Sequence, residues 1–115
     1  MEIGIDLEKN ERFKNLDEAM KKRAFTLLEI EYAEKNRNPE QVFCAFWCVK
    51  EAVIKAFGNR AIPFQKIEIC SKTGEKPYII LNETISAELK KNGLVEIKIS
   101  MSHTNEYSTG ICLLN

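Results

Sequence analysis

No sign of charge dominates this chain. Lysine plus arginine and aspartate plus glutamate both total 17, so no global field draws in nucleic acid or anionic lipid, and electrostatic recognition has to be local. Long apolar runs are missing as well: uncharged stretches such as Gln41–Val49 fall far short of the ~20 residues that cross a bilayer. The opening Met1–Glu8 carries three acids where a secretory leader has a basic and then an apolar segment. These absences predict a soluble, cytoplasmic protein with no membrane and no nucleic-acid partner. Cys-x-x-Cys pairs are also lacking. Cys44, Cys48, Cys70 and Cys112 sit among apolar neighbours, where a reduced cysteine behaves as a small buried hydrophobe; a metal site on Cys44 and Cys48 is the sharper alternative. Glycine and proline number only five and three, which excludes collagen-like and linker-rich chains.

What remains is a chain of 115 residues, 44% hydrophobic and 30% charged, the make-up of one domain spanning 1–115 that can hold a core without disulfides. Ile3, Ile5 and Leu7 alternate with Gly4 and Asp6, which predicts a strand with the isoleucines on its buried face and Asp6 opposite. Lys9 to Arg23 holds six basic and three acidic residues around Phe13, Leu16 and Met20, a loop entering an amphipathic helix with basic edges. Thr26 followed by Glu29 is a capping box opening a helix from Leu27 to about Lys35. Asn38-Pro39 starts a longer helix that runs unbroken to Phe57 and stops at Gly58. That helix is apolar on two sides, Phe43, Phe46, Trp47, Val53 and Ile54 against Ala45, Val49, Ala52 and Ala56, so it is expected at the centre of the fold. Its charges Lys50, Glu51 and Lys55 must then be paired or line a site.

Beyond residue 60 the period becomes two. Lys66–Cys70 and Pro77–Leu81 flank a turn as a hairpin, Asn82–Asn92 is a short helix ended by Gly93, and Val95–Met101 and Tyr107–Leu114 alternate as two more strands. The expected fold class is α+β, a mostly antiparallel sheet packed on a long central helix.

Three places could carry chemistry: Asp6 with Glu8, Glu51 with Lys55, and Ser102-His103-Thr104. Residues i and i+2 of a strand share a face, and Glu51 and Lys55 lie one helical turn apart. Carboxylates in numbers suit a hard divalent cation such as Mg²⁺, and a lysine beside them suits phosphate oxygens. Taken singly, Glu51 and Lys55 read as an intrahelical ion pair, Asp6 as a turn aspartate and His103 as a loop cap. A metal-dependent nuclease fits poorly, because Glu51 and Lys55 share a helix and the chain has no net basic charge.

Taken together, Gly4-Ile5-Asp6, Trp47-x-x-Lys50-Glu51-Ala52-x-x-Lys55-Ala56-Phe57-Gly58, Gly74-x-Lys76-Pro77-Tyr78 and Ser102-His103-Thr104-x-x-Tyr107 resemble the 4'-phosphopantetheinyl transferases, in length and order their small single-domain members. The resemblance runs from Ile3 to about Leu113. It implies transfer of 4'-phosphopantetheine from coenzyme A to a serine of an acyl carrier protein, in a homotrimer with its sites at subunit interfaces. By the same resemblance Asp6, Glu51 and, as a third ligand, Glu8 hold Mg²⁺, Glu51 is the general base, and Lys55 contacts the phosphates. Gly58, Lys76, Pro77, Ser102, His103 and Thr104 line the nucleotide, and Arg12, Lys14, Lys21, Lys22 and Arg23 form a salt-sensitive docking face for the acidic carrier. The sequence departs from the small members at Phe46, where an arginine is usual, and at Asn59-Arg60, where a second glycine follows Gly58. A non-catalytic coenzyme A-binding paralogue is the alternative that these departures favour.

Overall fold

The computed structural model describes all residues, Met1 to Asn115. Strand β1, Glu2–Lys9, leads through a 3-10 turn at Asn10–Phe13 into helix α1, Glu18–Ala24. Helix α2, Leu27–Glu34, opens on the expected capping box: Glu29 N donates to Thr26 Oγ1 and Thr26 N to Glu29 Oε1. The long helix α3 spans Pro39–Phe57, and Gly58 caps it at φ 66°, a left-handed conformation that a Cβ would oppose.

The expected hairpin is smaller than its periodicity suggested. Only Ile69–Cys70 (β2) and Tyr78–Ile79 (β3) pair, and Phe64–Lys66 forms a 3-10 turn instead of a strand entry. Helix α4, Glu83–Lys91, is capped by the Asn82 side chain. Strands β4, Ile97–His103, and β5, Tyr107–Leu114, complete a three-stranded antiparallel sheet in the order β1-β5-β4. Val95 lies outside β4 and is exposed. The α+β architecture expected from the sequence is thus present, with the sheet packed on α3.

One face assignment is reversed. Ile3, Ile5 and Leu7 are 60–62% exposed, whereas Gly4 is buried and Asp6 and Glu8 are half-buried against α3. Glycine explains the reversal. A Cβ on Gly4 would strike the Ala52 carbonyl oxygen, and one on Gly110, in β5, would strike the Val49 backbone nitrogen. These two glycines let the sheet lie directly on the helix backbone, so the thin side of β1 faces inward and its isoleucines face outward. Ile3 and Ile5 stand directly opposite Leu113 and Ile111 of β5 on this outer face.

The core collects Phe13, Phe25, Phe43, Phe46, Val49, Val53, Ile67, Ile85 and Leu114 around α3. Phe46, at the position where an arginine is usual, is 2% exposed and stacks on Tyr32 at 5.8 Å. Lys50 is also fully enclosed. Its ammonium donates to Glu29 Oε1 at 2.7 Å and to the Phe64 carbonyl at 2.9 Å, and Glu29 Oε2 accepts from Ile69 N. A single ion pair therefore ties α2, α3 and β2 together. Burial pushes the Lys50 amine below its ordinary value, and the Glu29 charge opposes that push.

All four cysteines are free, as the lack of paired spacing implied. Cys44 Sγ donates to the Glu8 carbonyl and Cys48 Sγ to the Ser108 carbonyl, so both thiols act as packed core groups. Burial raises the Cys112 thiol to about 12, and the Cys44 thiol beside it, together with burial, raises that of Cys48. In native protein at pH 8 a thiol reagent is expected to titrate Cys70 alone, the one cysteine that is not fully buried. Unfolding in guanidinium should release the other three; rapid native labelling of more than one thiol would contradict this packing.

Candidate active site

The inward face of β1, with Gly4, Asp6 and Glu8, sets the geometry. Asp6 reaches α3 beside Lys55, whose ammonium donates to Asp6 Oδ1 and to the Ile5 carbonyl, both at 2.9 Å. The second oxygen of Asp6, Oδ2, is buried and has no hydrogen-bond partner. A buried carboxylate oxygen left bare is costly unless something else completes it. Glu51, one turn before Lys55, turns to a different cation: its Oε2 lies 3.3 Å from Arg60 Nη1, in the loop after Gly58. Lys55 therefore does not pair with Glu51, and the intrahelical ion pair that spacing suggested is replaced by a pair across to the sheet.

Glu8 is placed differently. Its Oε2 holds Arg12 Nη1 at 2.7 Å, and the Arg12 guanidinium lies over the Trp47 ring at 4.9 Å. Trp47 in turn packs edge-on against Phe64 and close to Phe13. Asp6, Glu8 and Glu51 thus do not converge as a ready-made triad; each carboxylate has its own cation. Of the five basic residues expected on the docking face, Arg12 is held by Glu8. Lys21 is also engaged: it bridges Glu18 and Glu34, and its hydrogen bond to Glu34 raises its amine above the ordinary value. Lys14, Lys22 and Arg23 remain exposed without a carboxylate partner.

The other expected nucleotide-lining residues lie in separate places. His103 borders a cleft of about 250 Å³ floored by Phe46 and Tyr32 and rimmed by Arg37 and Gln41. Lys76 and Pro77 line a second groove between the hairpin and β4, and Lys55 and Gly58 line a third at the end of α3. Ser102 is one residue from His103 on the same strand, so the two side chains point to opposite faces. The Thr104 hydroxyl accepts from the backbone N–H groups of Glu106 and Tyr107, and the Thr104 carbonyl accepts from the buried Asn10 side chain. Thr104 therefore shapes the turn that presents His103. Within one chain these residues form three sites, and only Asp6, Glu51, Lys55 and Gly58 cluster around the C-terminal half of α3.

Two residues escaped sequence reasoning in part. Glu29 was legible only as the partner of Thr26, although the same carboxylate also neutralises Lys50. Arg60 was legible only as an odd occupant of a turn, although it reaches back to Glu51.

Comparison with known proteins gives the family. The model of the 4'-phosphopantetheinyl transferase superfamily matches residues 2–112, and the chain belongs to that family. A holo-[acyl-carrier-protein] synthase of Caldanaerobacter subterraneus subsp. tengcongensis is 33% identical over 96% of this chain and 91% of its own length. The fatty acid synthase subunit alpha of Candida parapsilosis is 30% identical over 96% of this chain, which spans 6% of that much longer protein. Among solved structures, a Chronobacterium ammoniagenes ACPS-CoA complex is 26% identical, with a TM-score of 0.82 over 98% of this chain and 95% of that one.

Proposed function

We propose that the chain transfers the 4'-phosphopantetheine group from coenzyme A to a serine of an apo acyl carrier protein, releasing adenosine 3',5'-bisphosphate. The observation that carries this reading is the Asp6–Lys55 pair beside Glu51, with one Asp6 oxygen buried and bare. A synthase at 33% identity and a solved complex with CoA at 26% identity support it. The serine oxygen forms a bond to the phosphorus that bears the pantetheine arm, and the bridging P–O bond of the diphosphate breaks. Glu51 takes the serine proton, since a half-buried carboxylate at the reacting end of α3 can accept it as the nucleophile forms. Lys55 moves from Asp6 to the phosphate oxygens, where its charge meets the charge that builds in the transition state.

The donor set also fits Mg²⁺. Asp6 Oδ2 offers an unsatisfied hard oxygen, and Asp6 and Glu51 would hold the ion, with Glu8 as a third ligand only if it left Arg12. When bound, Mg²⁺ would neutralise the diphosphate and the leaving oxygen. The reaction is assigned to the cytoplasm, where four unpaired thiols stay reduced, and no helix is long and apolar enough to cross a membrane. A link to fatty acid synthesis draws support from the likeness to the fungal synthase subunit.

The working form in this reading is a homotrimer. Its support is the apolar outer face of the sheet, where Ile3, Ile5 and Leu7 stand exposed beside β5, together with the scatter of His103, Lys76 and Lys55 among three clefts. A second copy seated on that face could bring its His103 edge to this chain's Lys55. Light scattering is expected to give three chains per particle, and Ile5→Lys to give one; a monomeric native protein would contradict the assembly. The reaction itself is tested by chromatography of the nucleotide product. Adenosine 3',5'-bisphosphate should appear in step with apo-carrier consumption, and none should form without carrier. Coenzyme A binding with no product from any of several carriers would leave the non-catalytic binding module instead.

A further inference from the structure

Two ion pairs are anchored one turn apart near the end of α3, Lys55 with Asp6 and Glu51 with Arg60, and they share one asymmetry. The carboxylates are the enclosed partners: the side chains of Asp6 and Glu51 are 13% and 17% exposed, against 42% for Lys55 and 72% for Arg60. The anions are thus fixed by the fold, and the cations are the long, solvated arms laid over them. Ion pairs with so exposed a partner hold weakly, and the 3.3 Å Arg60–Glu51 contact is longer than a well-formed charge-assisted hydrogen bond. The base of the Arg60 arm is by contrast firmly set. Asn59 Nδ2 donates to Glu88 Oε1 at 2.9 Å and Asn59 Oδ1 accepts from Ala61 N at 3.0 Å, so the residues on both sides of Arg60 are pinned to α4 and to each other.

We propose that Arg60 is a second phosphate-binding residue of this site, resting on Glu51 in the free protein as Lys55 rests on Asp6, and moving to the diphosphate of coenzyme A when it binds. The inference rests on the transferase reading and adds to it the residue that matches Lys55. Electrostatics favours the exchange. A diphosphate brings negative charge to two carboxylates and two cations that are neutral together, so the exposed cations turn to the newcomer, and the enclosed carboxylates they uncover would be balanced by Mg²⁺. The planar guanidinium fork suits two oxygens of one phosphate, which the point charge of a lysine does not match. Removal of Arg60 from Glu51 also leaves that carboxylate free to receive a proton, so one movement both holds the nucleotide and exposes the base.

Calorimetric titration with coenzyme A and with dephospho-coenzyme A, which lacks the 3'-phosphate, tests the assignment on native protein and on Arg60→Ala and Arg60→Lys. The Kd of both ligands should rise about tenfold in Arg60→Ala, equivalent to ~1.4 kcal/mol, and by less in Arg60→Lys. With an apo carrier, KM for coenzyme A should rise in parallel while KM for the carrier stays within twofold. Arg60 is a surface side chain, so the melting temperature should not change. An Arg60→Ala protein that binds both ligands as tightly as native would overturn the role. A loss confined to coenzyme A would overturn the diphosphate assignment in favour of the 3'-phosphate. A native protein that binds neither ligand would overturn the transferase reading, and the role of Arg60 with it.

Discussion

Glu51→Ala is expected to lower the turnover of carrier protein by at least ~10²-fold, the usual contribution of a positioned general base, while the protein melts within about 2 °C of native. Both halves follow from the site. Glu51 is the α3 carboxylate nearest in sequence to Lys55, its only cation is the solvated Arg60, and the loss of so loose a pair changes stability little. Asp6→Asn should be as damaging to transfer for a different reason. The amide keeps the size of the side chain and can still accept from Lys55, but it presents a neutral group where a bare carboxylate oxygen now lies. Its effect should therefore be strongest on the Mg²⁺ concentration needed for half-maximal rate. If either variant turned over at native speed, that residue would be removed from the chemistry; a large fall in melting temperature would show that it serves the fold.

Glu29→Ala is expected to produce the opposite pattern, a large loss of stability whose effect on rate follows from the loss of folded protein. The Lys50 ammonium is fully enclosed and has only this carboxylate and one carbonyl to hold it. The substitution leaves a buried charge unpaired, frees the Thr26 N–H from its cap and strips Ile69 N–H of its acceptor. Breaking a buried pair from one side typically costs about 3–5 kcal/mol, which for a domain of this size corresponds to a fall of more than about 10 °C in melting temperature. Replacing both partners, Glu29→Met with Lys50→Met, should recover much of that loss, because no charge is then left stranded. Alkaline pH provides a second check. In Glu29→Ala burial acts on Lys50 opposed only by the charge of Glu68, and lowers its amine further than in native protein, so the unfolded state binds a proton that the folded state has given up. Stability then rises with pH across the interval below the ordinary lysine value of 10.5, and the gap to native protein narrows. A Glu29→Ala protein within 1 °C of native would show that the pair contributes little to the fold.

These two carboxylates show how far the sequence could be read. The helical pattern of α3 was visible from Pro39 to Gly58 because side chains on two faces are apolar and a proline and a glycine mark its ends. Strand β5 was visible as alternation, but its place between β1 and β4 was not. The inward face of β1 was not, since alternation of Ile3, Ile5 and Leu7 with smaller residues does not say which side meets the helix. The decision lay in the backbone approach that Gly4 and Gly110 permit, a property of tertiary contact. The hairpin was over-extended for a related reason: β-rich composition around Ile67 and Ile80 marks burial, whereas the ladder forms only where two backbones meet.

At the site, the motif brought Asp6, Glu51 and Lys55 to one place because two of them share a helix turn and the third lies on the strand seated against it. The partners of those charges were not legible. Nothing in the spacing distinguishes a Glu51–Lys55 pair from the observed Asp6–Lys55 and Glu51–Arg60 pairs, which depend on how β1 seats on α3 and on where the loop after Gly58 returns. Glu8 likewise shares the inner face with Asp6, as period two requires, yet Arg12, four residues on in the 3-10 turn after the strand, holds it. The residues around His103 and Lys76 are far along the chain from α3 and line clefts separate from that of Lys55, which periodicity along the chain does not reveal.

The most direct test of transferase action is intact-protein mass spectrometry of an apo acyl carrier protein after incubation with this chain, coenzyme A and Mg²⁺, alongside a chelator control and the Glu51→Ala variant. The expected result is a mass gain of one phosphopantetheine in the complete reaction and none in either control. A gain that persisted in Glu51→Ala, or carriers that stayed unmodified while coenzyme A bound tightly, would contradict the assignment of Glu51 and of transfer respectively.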